Sequence, residues 1–122
     1  MNQTIPSENV KLKRAYEEPS SDDGVRILID RLWPRGISKK GAALDLWMKE
    51  IAPSDELRKW FHHEPDRWSE FQQRYRSEVD ANQPLLDQLR SMARKGPITL
   101  VYSARNEEQN NATALKDFIL ER

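Results

Sequence analysis

Charged and hydrogen-bonding side chains follow two apolar stretches of this chain, Val25–Ile29 and Ile98–Tyr102. The side chains that could do chemistry there are Asp30, Arg31, Arg35, Ser103, Arg105 and Asn106. Arginine offers a planar, permanently charged set of N–H donors that suits a phosphate or a carboxylate. In open α/β sheets, ligands bind beyond the carboxyl ends of the strands. The pattern therefore predicts a small-anion site at which the three arginines converge, with Asp30 and Ser103 on its wall.

The predicted ligand-binding residues are Arg31, Trp33, Arg35, Ser103, Arg105, Asn106 and Asn110. The last helix is expected to begin at about Glu107, and its first N–H groups would add donors. Trp33 either stacks on a ligand or a partner, or covers the apolar underside of its loop. A structural alternative also stays open, because an Asp–Arg network that locks the two loops together needs the same residue types.

Catalysis is a further step, for which Asp30 is the candidate general base and Ser103 the candidate nucleophile. No Gly-x-Ser-x-Gly motif surrounds Ser103, and neither histidine is close to it in sequence. The sequence therefore leaves open whether the protein is an enzyme.

His62 and His63 are adjacent, so on a helix they would point about 100° apart, and the chain has no cysteine. We therefore expect no metal site and no cofactor, and a helix-capping role for the histidines.

The local patterns predict an α/β fold with a mainly parallel sheet of about four strands covered by helices. The two apolar stretches are the expected central strands, since continuous apolar runs are typical of strands buried on both faces. Val10–Arg14 alternates apolar and basic residues, which suits an edge strand. Residues 43–51 fit either a helix or a short strand, and the strand is preferred. Ser54, Pro65 and Pro84 mark the starts of three amphipathic helices.

Length and composition limit the number of domains, the cellular location and the kind of ligand that the chain is expected to have. The chain has 122 residues with 20 basic and 20 acidic side chains, which suits one domain over residues 10–122 after a flexible tail of residues 1–9. The absence of cysteine and of a secretory signal favours the cytoplasm, and no apolar run reaches the roughly 18 residues of a membrane helix. Residues 25–49 hold six basic and two acidic groups. One basic segment in a neutral chain favours a local anion pocket over a nucleic-acid surface.

Three motifs of this chain resemble the YeaO-like family, a group of small bacterial proteins classed as a domain of unknown function. They are Asp-Arg-Leu-Trp-Pro-Arg-Gly at 30–36, Ala-Pro-Ser at 52–54, and Tyr-Ser-Ala-Arg-Asn at 102–106 with Asn110. The resemblance runs from about Val10 to the C-terminal helix and implies an α/β fold with a site at these strand ends. Ser103 and Asn110 stand where the wider group has cysteine, and Gln109 stands where a YeaO-like histidine is typical, so the chemistry of those residues does not carry over.

The function expected from these observations is binding of a small anionic molecule, such as a phosphate, nucleotide or sugar phosphate, at the carboxyl ends of the central strands. The alternative is a regulatory or interaction module that docks on a protein or nucleic acid through the loop Trp33–Lys40. The missing Gly-rich phosphate loop counts against a dinucleotide or a triphosphate. The sequence does not determine the oligomeric state.

Overall fold

A computed structural model of the protein describes residues 4–62 and 64–121. It contains one sheet of four parallel strands in the order β1-β4-β2-β3. The strands are β1 (Val10–Arg14), β2 (Val25–Leu28), β3 (Leu46–Trp47) and β4 (Ile98–Tyr102). The helices are α1 (Lys39–Ala42), α2 (Asp55–Phe61), α3 (Trp68–Asp80), α4 (Gln83–Lys95) and α5 (Asn111–Ile119). Single turns of 3₁₀ helix lie at Ser7–Asn9, Ser21–Asp23, Lys49–Ile51 and Pro65–Arg67. The predicted α/β class with a parallel four-stranded sheet is confirmed.

Strands β2 and β4 form the centre of the sheet, as predicted from their apolar runs. They pair in parallel with Ile27 opposite Leu100, and both side chains are fully buried. Leu28, on the other face of β2, is fully buried too, so this strand is covered on both sides. β1 pairs with β4 and lies at an edge of the sheet in the described part of the chain, which confirms the prediction from its alternating lysines.

The two faces of the sheet are covered differently. One face packs against helices α2 to α5 and forms the main core, in which Phe71, Tyr75, Leu89 and Leu115 are buried. The other face carries a small cluster around Leu28. Segments of the long β2–β3 connection cover this second cluster through Trp33, Ile37 and Leu44, with Trp47 of β3 beside them. Helical cover is therefore concentrated on one side of the sheet.

A hydrogen-bonded junction fixes α2 against α3. Ser54 is the N-cap of α2, as predicted, because its hydroxyl accepts the Leu57 N–H at 3.1 Å. The same Ser54 donates its N–H and its hydroxyl to the two carboxylate oxygens of Glu78 on α3, at 2.8 and 2.6 Å. Tyr75, also on α3, donates its hydroxyl to the Ile51 carbonyl at 2.6 Å. His62 ends α2 in the left-handed conformation, which agrees with its expected capping role; His63 lies outside the described residues.

The last helix starts later than predicted, at Asn111 and not at about Glu107. The Asn106 side-chain oxygen accepts the N–H groups of Glu108 and Gln109, both at 2.9 Å, and this side-chain-bonded turn replaces a first helical turn. Asn110 is then the N-cap, because its side-chain oxygen accepts the Thr113 N–H at 2.8 Å.

The sheet topology defines a crevice between β2 and β4. The chain leaves β2 towards β3 on one side, whereas α5, which follows β4, packs against β4 and β1 on the other side. Ligand sites of open α/β sheets lie at such a reversal, beyond the carboxyl ends of the strands. None of the helices within the described ranges has the length and apolarity that crossing a membrane requires.

Candidate functional site

Asp30 occupies the crevice between the ends of β2 and β4. One of its carboxylate oxygens accepts the Ser103 backbone N–H at 2.8 Å, and the other accepts the Asn111 side-chain amide at 2.9 Å. The Asn111 amide also donates to the Ile29 carbonyl at 3.1 Å. The Asp30 carboxylate therefore takes the donors that a small anion would use here, and it joins β2 to β4 and to α5.

The environment of Asp30 raises the pKa of its carboxyl above the usual value. Burial is the largest cause, and it outweighs the opposing effects of the Asn111 amide, the Ser103 hydroxyl and N–H, and the charge of Arg58. The Ser103 hydroxyl lies close enough to lower this pKa, although its geometry is not that of a hydrogen bond. A nucleophilic serine needs a base bonded to its hydroxyl, and the Ser103 hydroxyl has no hydrogen-bond partner in the described part of the chain.

Asn106 and Asn110 belong to the structure of their loop. The Asn106 side chain holds the turn at 106–109, and Asn110 caps α5 while its amide donates to the Asn106 carbonyl at 2.8 Å. Asn110 is almost completely buried. Both side chains are thus used for local folding, which gives a structural reason for the residue types that the sequence pattern assigned to ligand binding.

Trp33 packs inward. Its indole N–H donates to the Ile37 carbonyl at 2.7 Å, and its ring meets the ring of Trp47 edge to face, with 5.4 Å between the centroids.

Arg35 and Arg105 are exposed, and their guanidinium groups have no partner among the described residues. The Arg35 carbonyl accepts a hydrogen bond from the Tyr16 hydroxyl at 3.1 Å, which fastens the loop.

Arg31 has a different environment from the other two arginines. Its guanidinium is partly buried and donates to the carbonyls of Ala52 and Pro53, at 3.2 and 3.4 Å. Both contacts are longer than the 2.9–3.0 Å of a typical N–H···O hydrogen bond. Arg31 forms no ion pair with any carboxylate of the described residues. A guanidinium has five N–H donors, so most of its donor capacity remains available.

Arg31 lines a cleft of about 310 Å³ beside the α2–α3 junction. The other lining residues are Glu50, Ile51, Ala52, Ser54, Glu78, Val79, Ala81 and Asn82. Arg35, Arg105 and Ser103 do not line it, so the structure does not bring the three arginines together in this cleft. Of these lining residues, the sequence predicts only Arg31 as ligand-binding; the Ala-Pro-Ser motif at 52–54 is the sequence feature that points to the rest of the cleft.

The fold and the crevice define a small parallel α/β protein with polar side chains at its central strand ends. A family model described as the inactive DUF488-N3 subclade matches residues 9–122. The chain is 47% identical over 111 residues to the uncharacterised protein YeaO of Escherichia coli K12, covering 91% of this chain and 96% of that protein. The chain therefore belongs to this family, as its motifs predicted.

More distant relatives come from mycobacteria. The uncharacterised protein Rv3073c of Mycobacterium tuberculosis H37Rv is 38% identical over 110 residues, which cover 90% of this chain and 92% of the relative. The same values hold for the uncharacterised protein Mb3100c of Mycobacterium bovis. A search of solved structures gives no significant match.

Proposed function

We propose that the protein is a non-catalytic cytoplasmic binding protein for a small anionic molecule, whose anionic group meets Arg31 in the cleft beside the α2–α3 junction. One observation carries this proposal: Arg31 is a partly buried cation without a counter-ion among the described residues. Buried charges in proteins are normally paired, because removing a charge from water is costly. A bound phosphate or carboxylate would supply the missing partner through a bidentate contact.

The shape and lining of the cleft support a small ligand. Its volume of about 310 Å³ lies at the lower end of the range for ligand pockets. Ile51, Ala52 and Val79 are buried and give it an apolar wall. A ligand that combines one anionic group with a short apolar part fits this lining better than a bare inorganic ion.

The absence of catalysis is part of the proposal. Asp30 is bonded through both carboxylate oxygens, and the Ser103 hydroxyl lacks a bonded base in the described chain. The matching family model carries the word inactive in its description. These observations favour binding over turnover.

The test is a thermal-shift and calorimetric screen of wild type against phosphate, short carboxylates, nucleotides and sugar phosphates. A ligand at about 100 times its Kd adds about 2.7 kcal/mol to the free energy of unfolding, so a binder raises Tm clearly. Arg31→Gln should weaken the affinity by at least about tenfold, because it removes the charge. The unliganded variant should stay within about 1 kcal/mol of wild type, since only two long hydrogen bonds are lost.

Arg35→Gln is the matched control, since Arg35 lies in the same loop but outside the cleft. It should leave the response to the ligand unchanged. If Arg31→Gln instead destabilises the unliganded protein by several kcal/mol and no anion stabilises wild type, Arg31 is structural and the proposal is wrong.

A second candidate is docking through the loop Trp33–Lys40, next to which Leu32 is 62% exposed. Trp33 itself packs inward, so the contact would use Leu32 with the exposed Arg35, Lys39 and Lys40. Adding oligonucleotides to the same screen tests whether this loop docks on a nucleic acid. A response to them that Arg35→Gln abolishes and Arg31→Gln leaves intact would favour this second candidate.

A further inference from the structure

The charges around the cleft are not those expected for a simple anion site. Among the described residues, its lining includes one basic residue, Arg31, and two acidic residues, Glu50 and Glu78. The Glu78 carboxylate is satisfied, because both of its oxygens accept hydrogen bonds from Ser54. The Glu50 carboxylate has no partner among the described residues, and Glu50 is exposed. A dianion such as a phosphate ester would gain from Arg31 and would be repelled by both carboxylates.

Asn82 adds an acceptor to the same cleft. Its side-chain amide donates to the Glu50 carbonyl at 3.1 Å, which ties the end of α3 to the 3₁₀ turn at Lys49–Ile51. Its side-chain oxygen has no partner in the described part of the chain. Among the polar side-chain groups of the described lining, three have spare hydrogen-bonding capacity: the partly buried guanidinium of Arg31, and the carboxylate of Glu50 and the side-chain oxygen of Asn82, which are both on exposed residues.

We infer that the ligand is a zwitterion of the α-amino acid type with an apolar side chain. Its carboxylate pairs with Arg31, its ammonium group with Glu50 and the Asn82 oxygen, and its side chain lies on the apolar wall. Arg31 and Glu50 line the same cleft and form no ion pair with each other, so both charges are available to a ligand. This inference rests on the proposed function, since it concerns the same cleft and keeps an anionic group on Arg31, but it makes the ligand a zwitterion without net charge instead of an anion.

The experiment is isothermal titration of the full chain with five probes: three leucine derivatives that separate the two charges, inorganic phosphate, and glycine, which lacks the apolar side chain. L-Leucine carries both charges, N-acetyl-L-leucine keeps only the carboxylate, L-leucinamide keeps only the ammonium group, and inorganic phosphate has no apolar part. Wild type should bind leucine at least tenfold more tightly than N-acetyl-leucine, leucinamide or phosphate. Affinity should also rise by at least tenfold from glycine to leucine, because the wall of the cleft is apolar.

Glu50→Gln tests the assigned partner of the ammonium group. It should lower the affinity for leucine by at least fivefold and bring it close to that for N-acetyl-leucine. Glu50 is exposed and its carboxylate has no bonded partner in the described chain, so the variant is expected to fold, which a urea unfolding curve checks. Glu108→Gln, at another exposed glutamate outside the cleft, is the matched control and should leave both affinities unchanged.

Two outcomes overturn the inference in distinguishable ways. If N-acetyl-leucine or phosphate binds wild type as tightly as leucine, and Arg31→Gln abolishes that binding, the site takes simple anions; the proposed function then stands and the zwitterion does not. If none of the amino acids, carboxylates or phosphates binds at millimolar concentration, both proposals are wrong.

Discussion

Asp30 and Arg31 are adjacent in sequence, yet their side chains have different partners. Asp30 bonds to Ser103 and Asn111 across the β2–β4 crevice, whereas Arg31 reaches the carbonyls of Ala52 and Pro53. The two charges of this Asp-Arg dipeptide are therefore separated: the Asp30 carboxylate has two hydrogen-bond partners, and Arg31 has no ion pair among the described residues.

A contrast between two aspartates gives a prediction about pH. In Asp23, burial raises the pKa but is outweighed by Lys13, the Ser20 N–H and Arg26, so the pKa falls from 3.8 to about 2. Its stabilisation is fully present above pH 3.8 and is lost as the pH falls towards 2, a change of about 2 kcal/mol. In Asp30 the pKa is raised, so its ionisation costs stability as the pH rises above 3.8.

Urea unfolding between pH 2 and pH 7 at constant ionic strength measures both effects. In wild type, the ionisation of Asp23 raises the free energy of unfolding between pH 2 and pH 4, and Asp23→Asn should lack this increase. In wild type, the ionisation of Asp30 lowers the free energy of unfolding above pH 3.8, and Asp30→Asn should lack this decrease. With rising pH, the difference from wild type should therefore change in opposite directions for the two variants. Deviations of the same sign for the two variants would contradict the environments described for these carboxyls.

At the scale of the elements, the entry into β2 depends on backbone geometry and on a buried ion pair. Arg26 of β2 donates to Asp23 at 2.6 Å and to the Ala42 carbonyl at 2.9 Å, and it is almost completely buried. In the sequence, Arg26 added to the basic excess that favoured an anion pocket. The structure instead pairs this charge internally, so part of the excess serves to anchor β2 against α1.

Gly24 gives a prediction about this entry. It precedes β2 with φ +64°, and a Cβ atom there would lie 2.0 Å from the Pro97 carbonyl oxygen. That carbonyl accepts the Val25 N–H at 3.1 Å and aligns β2 with β4, so it cannot move away without loss of pairing. Gly24→Ala should therefore cost more than about 3 kcal/mol in free energy of unfolding.

Gly96→Ala is the comparison, because Gly96 has extended backbone and open space around its Cβ position. It should stay within about 1 kcal/mol of wild type in the same denaturant titration. Equal losses from the two alanine variants would mean that the close approach of Gly24 to Pro97 does not limit the stability of the sheet.

At the scale of the whole molecule, stability depends on the layer between the sheet and helices α3, α4 and α5. Leu100 lies in the middle of β4 and is fully buried in this layer. Leu100→Ala should cost about 2–5 kcal/mol, since it removes buried methyl groups and leaves a cavity. Glu70→Ala, on the outer face of α3, removes only an exposed ion pair with Arg74 and should change the free energy of unfolding by at most about 0.5 kcal/mol. Chemical denaturation of both variants checks the difference, and similar losses would mean that the buried face is wrongly assigned.

The sequence by itself determined the central strands, the edge strand β1, the N-cap at Ser54 and the amphipathic helices. These features depend on periodicity, capping and turn residues within a few positions of one another, so local physics is sufficient to predict them. The parallel pairing of β2 with β4 also followed, since strands separated by helices favour parallel connections. The family resemblance was carried by contiguous motifs for the same reason.

Only the tertiary structure decided which polar groups remain available for a ligand. Asn106 and Asn110 are predicted ligand-binding residues, and only the structure shows that their side chains also shape the loop and cap α5. The cleft brings Arg31 together with residues of the 50–54 and 78–82 segments, which are far apart along the chain. Whether a hydrogen-bond donor is available to a ligand depends on which acceptors lie next to it in the folded protein. Those acceptors come from segments that are distant in sequence, and their positions depend on the packing of the whole core.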